Sequence, residues 1–182
     1  ITKAMRSILD ADLKSKGINS INGYLIADAA NRSNNKADAY EFYKKVIEQN
    51  AHPSLNSVIS KVADIEFDSA AYSKAIVHYR LLKDKGVDST LIQRSNKRIL
   101  QSYLKLNELD SALIAYQEFS STNGKDEESV EAAAIFYLDI IQLKNAKGDF
   151  AASNEMILDK FRNEFAEVSD ATLGKAYLLL AR

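Results

Sequence analysis

The sequence predicts an all-α fold: an α-α superhelix, a solenoid of antiparallel helix pairs with about ten helices. Three observations predict it. Strand signals are nearly absent: no sustained apolar alternation is bounded by turn clusters, and the chain holds one proline and six glycines. Apolar residues fall instead at spacings of three and four, the period of a helix with one buried face. Finally, a small residue followed four and seven positions later by bulky ones recurs at a near-constant interval.

The elements follow in order. Residues 2–16 carry the stripe Met5, Ile8, Leu9 and Leu13, and Gly17 follows the cationic end KSKG, a suitable left-handed cap. Helices 18–32 and 36–50 form the first pair, the second of them holding Ala39, Tyr43 and Val46. After Pro53, the helix 54–68 carries Val58, Val62, Ile65 and Phe67, and 71–86 holds Ala75, Tyr79 and Leu82 before the KDKG ending at Gly86. Asp88, Ser89 and Thr90 supply N-cap oxygens to 89–106, whose stripe is Ile99, Leu100, Tyr103 and Leu106. Helix 109–122 holds Ala112, Tyr116 and Phe119. The run 120–127, SSTNGKDE, reads as an extended polar loop. Asp126, Glu127 and Glu128 oppose the helix dipole at the start of 127–146, with Ile135, Leu138, Ile141 and Leu143 behind them. Helix 149–164 keeps Ser153 and Ile157, and 169–182 offers Leu173, Ala176, Tyr177 and Leu180. Short connections make successive helices antiparallel hairpins.

The anchors Ala4, Ala39, Ala75, Ala112 and Ser153 stand 35, 36, 37 and 41 residues apart. A small side chain lets two helix backbones approach, and the bulky residue one turn later fills the space beside the next helix. The pattern resembles the tetratricopeptide repeat family. The copy that carries it best is Leu100, Tyr103, Asn107, Leu109, Ala112, Tyr116 and Phe119, and Gly148, Asp149 and Phe150 are similar to the family's turn between paired helices. The resemblance covers essentially the whole chain, read as one domain, 1–182. It contains a half-repeat 1–17, the pairs 18–51, 54–87, 89–122 and 127–165, and a half-repeat 169–182. Departures are the missing tryptophan and closing proline, and Ser153 and Lys160 at small-residue positions. The half-repeats predict that a parent array continues in both directions. The closing segment LGKAYLLLAR resembles the opening helix of repeats in large bacterial multi-repeat proteins, often of the cell envelope.

Composition narrows the function. The chain has 182 residues, 46% hydrophobic, with a formal net charge of -1, so a nucleic-acid partner is not expected. There is no cysteine, which removes thiolate nucleophiles, cysteine metal sites and disulfides. The longest apolar run, AYLLLA at 176–181, is far short of a membrane span. The two histidines, His52 and His78, lie in a connection and on a second helix, and no acid–base constellation converges. No catalytic, metal or cofactor residue is expected, and the acidic DEE run reads as a helix start rather than a metal cluster.

The resemblance implies instead a concave groove, lined by the first helices of the pairs, that binds a peptide or protein segment. Its lining on this register is Tyr24, Asp28 and Asn31; Ser57, Ser60 and Asp64; Arg94, Lys97, Arg98, Gln101 and Lys105; and Leu138, Gln142 and Asn145. Arg94 and Arg98 resemble two members of the family's carboxylate clamp, but the Lys and Asn residues expected before them are absent, so no complete clamp is expected. The locally basic middle suits an acidic segment. The expected function is a non-enzymatic protein-interaction scaffold; the alternatives are an RNA-binding helical-repeat protein and a structural arm of a larger envelope complex. The apolar face of 169–182 predicts self-association through the repeat end.

Overall fold

The computed structural model describes residues 20–50, 52–85, 88–148 and 150–181. The expected helix at 2–16 and the glycine caps at Gly17 and Gly86 lie outside the described residues. Every element described is helical: α1 (Ser20–Arg32), α2 (Lys36–Gln49), α3 (Leu55–Asp68), α4 (Tyr72–Asp84), α5 (Ser89–Leu106), α6 (Leu109–Thr122), α7 (Glu127–Ala146), α8 (Phe150–Asn163) and α9 (Asp170–Leu180). The fold is all-α, and within each unit successive helices pack on one another. Contacts divide the chain into two compact units, 1–88 and 89–182.

In the first unit α1 packs on α2, α2 on α3, and α3 on α4. Ala27, Ala30, Ala39, Phe42, Tyr43, Val46, Val58, Val62 and Ile65 form a continuous buried cluster, and α4 buries Ala75, Ile76, Tyr79 and Leu82. In the second unit α5 packs on α6, α6 on α7, and α7 on α8, while α9 packs on both α7 and α8. Phe119 meets Phe136 edge-on at 5.3 Å and Tyr116 lies 5.5 Å from Tyr137, so aromatic pairs join α6 to α7.

The anchors do what a close helix crossing requires: Ala39, Ala75, Ala112 and Ser153 are all 0% exposed. The bulky residues four positions later, Tyr43, Tyr79, Tyr116 and Ile157, are buried as well. At the seventh position Val46, Leu82 and Phe119 are buried, whereas Lys160 is half-buried and turns its ammonium to Glu164.

The turns keep the same register. Asn34, Ala70, Asn107 and Gly148 have φ of 57°, 58°, 57° and 88°. Each stands five residues before an anchor. The left-handed residue releases the first helix, and the next amide reaches back: Asn35 N–H to the Ala30 carbonyl at 2.9 Å, Ala71 to Glu66 at 2.8 Å, Glu108 to Tyr103 at 3.1 Å. Asn35 then caps α2, its Oδ1 accepting from the Asp38 amide at 3.2 Å while its Nδ2 donates to the Asp38 carboxylate at 2.7 Å.

Two local expectations are corrected. The polar run 120–127 is not an extended loop: α6 continues through Thr122 and α7 begins at Glu127. Thr122 suits a last turn because its hydroxyl donates to the Glu118 carbonyl, and α5 reaches across, Gln93 Nε2 donating to the Thr122 carbonyl at 2.8 Å and Asn96 Nδ2 to its hydroxyl at 2.9 Å. These bonds occupy acceptors at a helix end that otherwise lacks partners. The long interval instead comes with a long first helix, α7 at 20 residues. Asp126 lies before the first turn, not in it. It is the N-cap, accepting from the Ser129 amide at 3.0 Å and hydroxyl at 2.8 Å.

Candidate functional site

The groove residues fall on α1 and α3 in the first unit and on α5 and α7 in the second. In the first unit they are engaged with one another. Asp28 is a hub: Lys61 Nζ lies 2.5 Å from Oδ1, Arg32 lies 2.5 Å from Oδ2, and the Tyr43 hydroxyl donates to Oδ1 at 3.3 Å. Lys61 also sits over the Tyr24 and Tyr43 rings, 5.2 and 5.5 Å from their centroids, and His52 stacks on Tyr24 at 4.7 Å. The Lys61 hydrogen bond holds the Asp28 carboxyl below its ordinary pKa despite burial. For Lys61, burial opposes the charged form, but the bonds to Asp28 and the tyrosines outweigh it and raise the pKa.

Asp64 repeats part of this design. It accepts the Tyr79 hydroxyl at 2.7 Å. Tyr43 reaches Asp28 and Tyr79 reaches Asp64 across the same separation of 15 residues, so each aspartate of a first helix holds the tyrosine of its own second helix. Asn31 is half-buried and accepts from Lys36 at 3.0 Å. Ser60 is buried and Ser57 exposed. The sequence placed these aspartates toward a ligand, and the structure gives them an intramolecular partner.

The second unit differs. At the position equivalent to Asp28 and Asp64 stands Gln101, which accepts from Arg98 Nη1 at 3.3 Å. Arg94, Lys97 and Lys105 are exposed, while Arg98 and Gln101 are half-buried. Their spacing puts all five along one side of α5. On α7 Gln142 is exposed, Leu138 is buried, and Asn145 is buried with neither side-chain polar atom hydrogen-bonded. Asp139, also on α7, has its carboxyl raised by desolvation even though solvent reaches it, an effect that Lys175 and Lys105 partly offset.

Three polar features escaped the sequence reading. Lys61 was missed because a lone lysine gives no sign of folding over two tyrosines. Glu66, on α3, is 3% exposed, accepting from Tyr40 on α2 at 2.8 Å and lying 2.7 Å from His78 Nδ1 on α4; a carboxylate among apolar core positions was its only signal. Burial and the Glu66 charge push the Tyr40 phenol up to about 12. Glu131 accepts from the Ser169 amide at 2.9 Å and hydroxyl at 2.6 Å, and from the Thr172 hydroxyl, so α7 holds the start of α9. Among the described residues no group of three or more His, Cys, Asp or Glu is placed to hold a metal ion, and no helix is long and apolar enough to cross a membrane.

These features define a class: an all-α helical-repeat protein in which Asp28 and Asp64 accept tyrosine hydroxyls in one unit and exposed cations lie along α5 in the other. Comparison with protein-family models and with curated proteins finds no match to the chain.

Proposed function

We propose that the chain is a non-enzymatic interaction scaffold of tetratricopeptide-repeat type, and that the basic side of α5 holds an acidic stretch of a partner protein. The observation that carries this reading is the row of cations on α5: Arg94, Lys97 and Lys105 all reach solvent on one side of that helix. An extended acidic segment beside α5 gains charge attraction from this row and hydrogen bonds from Gln101 and Gln142. The absence of cysteine and of any converging acid–base group in the sequence favours binding over catalysis.

The test is a titration of a short Glu-rich peptide against the chain and against Arg94→Glu with Lys97→Glu. Both side chains are exposed, so the helical circular dichroism is expected to stay unchanged. Affinity should fall by about tenfold or more, equivalent to about 1.4 kcal/mol. Equal binding by both proteins, or no binding by either, refutes α5 as the acidic-segment site.

A further inference from the structure

The connection between α6 and α7 holds the dipeptide Asn123-Gly124, and a second Asn-Gly pair stands at 22–23. After an asparagine, glycine leaves its own amide nitrogen unobstructed, because it has no Cβ. That nitrogen can then reach the asparagine carboxamide. The fold places the two pairs in opposite settings. Gly23 is buried within α1, which packs on α2. Exposing its amide to reaction demands opening that part of the helix. Asn123 stands past the end of α6 with extended backbone, φ −74° and ψ 151°, and Gly124 is exposed. Among the described residues the Gly124 amide donates to no backbone carbonyl. Asn34 and Asn107 are exposed too, but the amides that follow them, of Asn35 and Glu108, are bonded to the Ala30 and Tyr103 carbonyls.

The structure holds both residues of the pair in place. Asn123 Nδ2 donates to the Ser129 carbonyl at 2.6 Å, tying the end of α6 to the first turn of α7. A Cβ built on Gly124 would press against Asp126 Oδ2 and Ser129 Oγ, the two atoms that bond each other in the α7 cap. The joint therefore calls for an asparagine donor and a bare residue side by side.

We propose that Asn123-Gly124 is a self-modification site at which the chain deamidates. The Gly124 backbone nitrogen gives its proton to a base in solvent and attacks Asn123 Cγ. The new C–N bond closes a succinimide ring, and the side-chain nitrogen leaves as ammonia, taking a proton from water. Water then opens the ring at either carbonyl, giving aspartate or isoaspartate. Nothing is oxidised or reduced; water is consumed and ammonia released. The product lacks the Nδ2 donor, so the tie to the Ser129 carbonyl is lost. It also puts negative charge at the C-terminal end of α6, where the helix dipole opposes it, close in sequence to Asp126, Glu127 and Glu128. Isoaspartate further lengthens the main chain by a methylene. Each change loosens the joint between α6 and α7.

The test is incubation of the whole chain at mildly alkaline pH, followed by tryptic digestion and tandem mass spectrometry. Peptide 106–125 carries both Asn107 and Asn123, so one fragment compares them. Asn123 should convert at least about tenfold faster than Asn107 or Asn22. Its rate should rise with hydroxide, and both isoaspartate and aspartate should form. In urea sufficient to unfold the chain, Asn22 should approach the Asn123 rate, since only the fold separates the two pairs. The deamidated fraction, isolated by ion exchange, should unfold at lower urea than fresh chain, and so should Asn123→Asp. An Asn123 that stays intact in the folded chain overturns the proposal, as does an Asn22 that converts equally fast before and after unfolding. A deamidated fraction as stable as fresh chain overturns it too.

Discussion

At the residue scale, three positions carry testable energetics. Ala70 and Gly148 occupy equivalent left-handed positions with different chemistry. The left-handed conformation costs an L-residue about 1–2 kcal/mol. Gly148→Ala should therefore lower stability by about 1 kcal/mol through the backbone alone, since its added Cβ meets nothing within 4 Å. Ala70→Gly should be neutral to stabilising by up to about 1 kcal/mol, part of the relief being offset by the entropy of the unfolded glycine. Urea midpoints for the two variants check both signs. Asp28 supplies the pH dependence. Its folded pKa is depressed by Lys61, so the unfolded chain takes up the proton first as pH falls. The stabilisation is fully present above the ordinary carboxylate pKa of about 4 and fades as pH drops through the lower folded value. Asp28→Asn should cost about 1–3 kcal/mol at neutral pH by leaving Lys61 and Tyr43 without their charged acceptor. The gap from the parent should shrink below about pH 4; a gap independent of pH contradicts the pairing.

At the element scale, the second helix of each pair is specified by three positions. Ala112→Leu should cost about 1–3 kcal/mol by forcing α5 and α6 apart, and Tyr79→Ala about 3–5 kcal/mol by emptying the space beside α3. Thermal melts followed by circular dichroism measure both. These positions were legible because packing is periodic: Ala39, Ala75, Ala112 and Ser153 must be small wherever two rods touch, whatever surrounds them. The groove was less legible. Asp28 and Asp64 stand on the side the repeat assigns to a ligand, but a tyrosine 15 residues on reaches back to each. The recurrence of that spacing was visible; its meaning required knowing where the phenols end. Ser60 and Asn145 are buried because a modest rotation of a helix moves a boundary residue from rim to core. Hydropathy treats every charge as exposed, which is why Glu66 and its bonds to Tyr40 and His78 stayed hidden.

At the scale of the whole molecule, 24 basic residues nearly balance 25 acidic ones, so the chain carries no basic excess to attract a polyanion. Single-stranded RNA should therefore bind weakly or not at all at physiological salt, and filter binding across a salt series checks this. Tight binding with a steep salt slope would transfer the basic row from a protein ligand to phosphate. The left-handed turns have a further consequence for how such a chain tolerates insertions and deletions. Distances from one within-pair turn to the next vary, yet from Asn34, Ala70, Asn107 and Gly148 the step to the anchor is five residues each time. One extra residue inside 35–38 would swing the anchor of α2 about 100° around its helix axis, aiming Ala39 away from its crossing. The same insertion at 123–126, between pairs, falls outside this step and leaves the anchor of each neighbouring hairpin in phase. Length variation in related chains should accumulate at the junctions between hairpins and be purged from the joints within them.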